Sequence, residues 1–257
     1  MARSKPAPSH PPQRSGHGLA RMLSKLGYCS RSQARALIAA GRVSLHGRPA
    51  RDPELRITPG ELDRIEVDGQ PVQAVTLTYL MLNKPRGLVT TTADEQGRAT
   101  VYRCFADESL PFLSPVGRLD KASEGLLLFT NDTTWAAQIT DPASHLAKVY
   151  HVQVDRLPDA AFLSQLRTGI LSQGEHLSVQ RVEILRLGQK NAWLEIHLEE
   201  GKNRHIRRMI DELGAGVLRL VRVQIGRLAL GSLPKGEFRH LNPDEIASLA
   251  RPRNPSR

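Results

Sequence analysis

The sequence predicts an α+β protein in two parts: a small N-terminal unit and a larger domain built on a mostly antiparallel mixed sheet. Three observations predict this. Strand patterns outnumber helix patterns and fall at irregular intervals, without the strand–helix alternation of a doubly wound sheet. A helix–helix–strand pattern fills residues 18–73, close to the smallest length that folds alone. From Leu77 the texture changes to longer apolar runs, which makes residues 73–78 a junction and 77–249 the larger domain.

In the N-terminal unit, Leu19, Met22, Leu23 and Leu26 recur at helical spacing, and Gly27 stops the helix. Ser30 and Gln33 form a capping-box pattern for a second helix carrying Ala34, Leu37 and Ile38. Gly41 stands where a helix end favours a left-handed residue. Val43 and Leu45 alternate as a short strand before a His46-Gly47 turn. Ile65 and Val67 make another before Asp68-Gly69, a strong hairpin signal.

In the larger domain, strands are expected at 79–82, 126–130, 149–154, 180–187, 192–198 and 217–225, with helices at 132–139, 158–168 and 203–213. The ends, 1–17 and 250–257, are rich in Pro, Ser and Arg, lack apolar periodicity and read as disordered tails.

Charge narrows the partners. Lys and Arg number 36 against 26 Asp and Glu, a net charge of +10, and such a field favours a polyanion. Arg21, Lys25, Arg31, Arg35, Arg42 and Arg48 crowd the small unit with no acidic residue between positions 18 and 51, which suggests a face that contacts phosphates. A membrane surface is disfavoured because no basic stretch carries a strong apolar face. No apolar run of the roughly 18 residues needed to span a bilayer occurs. The two cysteines, Cys29 and Cys104, lie far apart, which fits a reducing compartment and a cytoplasmic protein.

The chemistry must come without familiar cofactor motifs. There is no P-loop, no glycine-rich dinucleotide turn, no zinc-ligand spacing and no nucleophile elbow. No cofactor and no metal are therefore expected. Three segments stand out instead. Gly117-Arg118-Leu119-Asp120-Lys121-Ala122-Ser123-Glu124-Gly125 places a carboxylate in a loop before the apolar run LLLFT, though an arbitrary Asp there is usually only a turn former. In Lys148-Val149-Tyr150, Lys148 and Tyr150 share one strand face, and a cleft-facing tyrosine can stack on a base. In Glu200-Gly201-Lys202-Asn203-Arg204-His205-Ile206-Arg207-Arg208-Met209, cations open a helix against its dipole, which suggests an anionic partner.

Together these segments, with LNKPRG at 82–87 and VLRLVRVQIG at 217–226, closely resemble the bacterial rRNA pseudouridine synthases that join an S4-like (αL-type) RNA-binding domain to a catalytic domain. The resemblance runs from about Gly18 to Leu249. It implies that Asp120 is the nucleophile, that Tyr150 stacks on the target base and assists proton movement, and that Arg207 pairs with Asp120. A carboxylate buried alone drifts toward its neutral form, and a guanidinium beside it counters that. The resemblance further implies that Arg118, Lys148, Lys202, Arg204 and Arg208, with the cations of the small unit, hold RNA. It favours 23S over 16S rRNA as substrate; a monomer is expected. The chain departs from the family pattern at Ser123, Thr133 and His205, none of them a proposed catalytic group. A non-catalytic rRNA-binding or ribosome-assembly factor is the alternative from another class. An RNA methyltransferase would need a glycine-rich cofactor loop that is not present.

Overall fold

A computed structural model describes residues 16–250 apart from 74, 93, 95 and 107. The expected tails at 1–15 and 251–257 lie outside the described residues. His17 and Ala250, which the sequence pattern assigns to those tails, belong instead to regular elements. The chain divides into two compact units between Thr76 and Leu77.

The first unit opens with β1 (His17–Gly18) and α1 (Leu19–Lys25), followed by α2 (Arg31–Ala39). Ser30 Oγ accepts from the Gln33 amide while the Gln33 side chain accepts from the Ser30 amide, so the capping box forms. Then come β2 (Val43–Leu45), β3 (Arg48–Pro49), β4 (Arg56–Ile57), β5 (Ile65–Val67) and β6 (Gln70–Pro71). Strands β3-β2-β5-β6 form one antiparallel sheet, and β1 pairs with β4. The two-residue turns at His46-Gly47 and Asp68-Gly69 hold positive φ at both positions, as a tight twisted hairpin requires. Leu19, Leu23, Ala34, Ile38, Val43 and Ile65 form the core.

The second unit contains β7 (Tyr79–Lys84), β8 (Ser114–Val116), β9 (Glu124–Thr130), α3 (Thr133–Thr140), β10 (Lys148–Val154), α4 (Ala160–Thr168), β11 (Ile170–Ser172) and β12 (Glu175–Leu177). It continues with β13 (Arg181–Leu187), β14 (Ala192–Leu198), α5 (His205–Glu212), β15 (Val217–Ile225), β16 (Leu228–Ala229), β17 (Phe238–His240) and α6 (Pro243–Ala250). The main sheet runs β13-β14-β10-β15-β9-β7-β17, with β8 on β9 and β16 on β15. Every ladder in it is antiparallel except β15 on β9, which is parallel at Val221↔Glu124 and Arg222↔Gly125.

Strand β9 explains its own sequence. Leu127 and Phe129 enter one core cluster, with Leu194, Ile196 and Met209, while Leu126 and Leu128 enter another, with Trp135 and Ile139. A strand covered on both faces reads as a continuous apolar run. Side-chain caps set the helix starts: Asp132 accepts from the Thr134 and Trp135 amides, and Asp159 from the Phe162 amide. No helix among the described residues is long and apolar enough to cross a membrane.

Candidate active site

The loop before β9 is held through its backbone. Lys84, the last residue of β7, is completely buried. Its ammonium donates to the carbonyls of Ser123 (2.8 Å), Pro85 (3.1 Å) and Asp120 (3.2 Å). Thr90 Oγ1 donates to the Leu119 carbonyl at 2.7 Å, and the Gly87 amide donates to the Lys121 carbonyl at 2.7 Å. Leu119 is buried beneath, which leaves the half-buried Asp120 presented from a fixed main chain. Burial pushes the Lys84 ammonium down to about 8, although the Asp120 charge opposes the shift.

Asp120 lines a cleft of about 500 Å³, within the range of ligand sites. Tyr150 and Lys148 reach the same cleft from β10, and Arg207 reaches it from α5. All three sequence segments therefore contribute to one cavity. Tyr150 is 8% exposed, with its strand neighbours packed in the core. Lys148 donates to the Glu199 carbonyl at 3.1 Å. Burial lowers its proton affinity, and Arg222 lowers it further.

Arg207 is not in a direct ion pair with Asp120. Its Nη2 donates to the Ala122 carbonyl at 3.0 Å and its Nη1 to the Val217 carbonyl at 3.4 Å, and no carboxylate among the described residues lies within 4.0 Å. The guanidinium ties the Asp120 loop to the start of β15 through main-chain oxygens. The carboxylate acts on it at longer range: burial lowers the Arg207 proton affinity, Arg204 adds to that, and Asp120 opposes it. Arg207 Nε is buried without a partner.

Of the expected RNA contacts, Arg118, Lys148, Lys202 and Arg204 line the cleft. Arg118 and Arg204 are exposed at its rim. Lys202 also pairs with Glu200 at 3.1 Å and donates to the His176 carbonyl. Arg208 is not a cleft residue. It clamps α5 to the β11–β12 hairpin through the Ser172 carbonyl and Glu175. In the first unit, Arg21, Lys25, Arg31, Arg35, Arg42 and Arg48 are all exposed. Two of them are offset by acids from outside the 18–51 window, Arg35 by Glu54 at 2.8 Å and Arg42 by Asp68 at 2.5 Å. Lys25 contacts the His17 ring at 3.1 Å.

Pattern reading missed three residues. Lys84 anchors the loop. Glu124, 3% exposed at the start of β9, pairs with Arg219 at 3.1 Å and Lys235 at 2.5 Å. Burial pushes its carboxyl up, and these two cations more than reverse that. Arg222, 6% exposed, lines the cleft opposite Tyr150. Around the cavity, six Lys and Arg side chains face a single carboxylate, Asp120. The cleft is therefore built to draw in a polyanion while keeping one acidic group at its centre.

Comparisons with known proteins place the chain in a family. The family model for RNA pseudouridylate synthase matches residues 78–212, and the S4 domain model matches residues 18–63. An RNA pseudouridine synthase of Aquifex aeolicus is 37% identical over 231 residues, 89% of this chain and 92% of that one. The ribosomal large subunit pseudouridine synthase B of Bacillus subtilis is 32% identical over 234 residues, 90% of this chain and 94% of that one. A crystal structure of a pseudouridylate synthase superposes with a TM-score of 0.63 at 30% identity, covering 91% of this chain and all of the other. A carboxylate, a tyrosine and an arginine gathered in one basic cleft, in a chain whose residues 18–63 match an S4 domain, thus have a family: the chain belongs to the RNA pseudouridylate synthases.

Proposed function

We propose that this enzyme isomerises a uridine of large-subunit (23S) rRNA, with Asp120 as nucleophile, Tyr150 as the stacking platform for the extruded base and Arg207 as the group that fixes the Asp120 loop. The observation that carries the reading is that Asp120, Tyr150 and Arg207, from three separate chain segments, line one cleft. The rRNA assignment is supported by the 32% identity to the Bacillus subtilis large-subunit enzyme and by the basic helix opening GKNRHIRRM.

The reaction breaks the uridine C1′–N1 bond, turns the uracil and joins C5 to C1′. Atoms neither enter nor leave: C5 gives up one proton and N1 gains one. A base inside folded RNA must first be extruded, at a cost of a few kcal/mol. Stacking on an aromatic ring recovers about 1–3 kcal/mol per base. The rim cations Arg118 and Arg204 hold the flanking phosphates and supply more. Asp120 can open the bond by adding to C1′, by adding to the base, or by taking a ribose proton. Each route needs the carboxylate ionised.

The test is pseudouridine mapping across both rRNAs in a deletion strain complemented with wild type or with Asp120→Asn. We expect one 23S position to lose its pseudouridine, wild type to restore it and Asp120→Asn to fail, while the variant binds the rRNA fragment within about threefold of wild type because the exchange is isosteric and removes none of the cations that contact phosphate. Turnover by Asp120→Asn would remove that residue from the mechanism. A lost 16S position would correct the substrate.

A further inference from the structure

Arg222 lies outside the set of Asp120, Tyr150 and Arg207, yet it sits among them. It stands opposite Tyr150 in the β10–β15 register, beside a β-bulge between Val149 and Tyr150. Bulges re-aim side chains and recur beside active sites. Its Nε donates to the Leu126 carbonyl at 2.8 Å, Nη2 is buried with no partner, and the guanidinium enters no ion pair among the described residues. Arginine cannot relieve burial by losing its proton. An uncompensated buried charge raises the free energy of the empty protein. Held on a cleft floor, it is matched to negative charge that arrives with, or develops on, a ligand.

Depth decides which ligand atoms those are. Arg118 and Arg204 are exposed at the rim, whereas Arg222 is 94% buried by its 6% exposure. An extruded base reaches deepest, while its phosphate stays at the rim with the strand that carries it. The atoms that meet Arg222 are those of the base.

We propose that Arg222 is a further catalytic residue, whose terminal N–H edge donates to a uracil carbonyl oxygen and stabilises the charge the ring takes up as C1′–N1 breaks. The proposal rests on the reading of the cleft given above. When Asp120 bonds to C1′, the C1′–N1 electron pair leaves with the uracil and spreads from N1 onto the carbonyl oxygens. The ring turns, C5 attacks C1′ and the Asp120–C1′ bond is released. C5 then loses its proton and N1 gains one.

The experiment compares wild type, Arg222→Gln, Arg222→Lys and Asp120→Asn in single turnover at saturating rRNA fragment, together with the RNA Kd and the melting temperature. Arg222→Gln is expected to keep Kd within about threefold and to lose about 10²- to 10³-fold in rate, the range for removing one preorganised donor from a developing oxyanion. Arg222→Lys keeps the charge without the fork and is expected to recover at least about tenfold of that loss. The second arm places 5-fluorouridine at the target. Fluorine stabilises the ring anion by itself, so the cleavage defect of Arg222→Gln, read as loss of the N-linked nucleoside, is expected to shrink by about tenfold. An equal defect on both nucleosides overturns the proposal, as does a weakened Kd with wild-type rate at saturation. If Arg222→Gln does not fold, Arg222→Lys carries the same comparison of nucleosides. A wild-type protein that converts no uridine overturns the cleft reading and this proposal together. An inactive Asp120→Asn beside an unimpaired Arg222→Gln overturns this proposal alone.

Discussion

Replacing Lys84 with methionine separates the charge of that side chain from its bulk. The wild-type ammonium is fully buried, and its proton affinity falls from 10.5 to about 8. Below pH 8 the folded protein therefore holds a charged group that the unfolded chain would charge more readily, a penalty of about 3 kcal/mol from the 2.5-unit difference. Methionine fills nearly the same volume, so packing changes little. It removes the penalty but orphans the buried Ser123 carbonyl and the part-buried Pro85 and Asp120 carbonyls. An orphaned buried acceptor costs about 1–3 kcal/mol. At pH 7 the two effects nearly cancel, and the variant is expected within about 2 kcal/mol of wild type. At higher pH they no longer cancel. The folded-state value lies below the unfolded one, so between pH 8 and 10.5 the unfolded chain binds more protons and wild-type stability gains as pH rises. From pH 7 to pH 10 the stability of wild type minus that of Lys84→Met is expected to grow by about 2.5 kcal/mol. Urea unfolding followed by tryptophan fluorescence measures this, because Trp135 and Trp193 both lie in the second unit. A difference that stays flat over this range would show that Lys84 is not a penalised buried cation. A shrinking difference would show that its neighbours favour the charge.

Three further outcomes follow from the geometry. Gly125→Ala is expected to cost at least about 3 kcal/mol or to prevent soluble expression, because Gly125 holds φ +98 and a Cβ there would collide with the Arg222 backbone; a melting temperature within about 2 °C of wild type, against the roughly 2–4 °C per kcal/mol of a domain this size, would contradict the close β9–β15 approach. Arg207→Ala is expected to abolish turnover and lower stability by about 1–3 kcal/mol, through the abandoned Ala122 and Val217 carbonyls rather than through a broken pair with Asp120; wild-type rate and stability together would remove it from the site. In the first unit Arg21, Arg31 and Arg48 have no carboxylate partner among the described residues, and replacing all three with Gln is expected to lower the slope of log Kd against log salt by about 2. An unchanged slope would place RNA on another face.

Much of the second unit is legible from local pattern. The strands at 192–198 and 217–225 begin and end where expected because their apolar alternation matches their burial. The helix expected at 203–213 shortens to α5, since Arg204 takes a left-handed conformation and no side chain caps the start. Helix α6 has sequence signals of its own: Asn242 caps it, Pro243 opens it, and Asp244 and Glu245 fill its first turn. The β1–β4 pair had none, being two residues long and joined across some forty positions. The site divides in the same way. Asp120, Tyr150 and Arg207 stand out through their motifs. Lys84 and Arg222 look like ordinary cations at strand positions, and only the coverage of both sheet faces makes them buried. No spacing could tell whether Arg207 would reach the Asp120 carboxylate or a carbonyl two residues further on.

The parallel contact between β15 and β9 has a bearing on how the enzyme comes to life. Among the described residues it is the only ladder joining the β13-β14-β10-β15 half of the sheet to the β9-β7-β17 half. It links segments about a hundred positions apart. Closing so long a loop is slow, and nonlocal parallel pairing is among the last contacts a chain makes. Asp120 leads into one half, while Tyr150 and Arg222 belong to the other. Neither half alone carries the whole site, so activity during refolding waits for that seam to close together with the core that Leu127 and Phe129 share with Leu194 and Ile196.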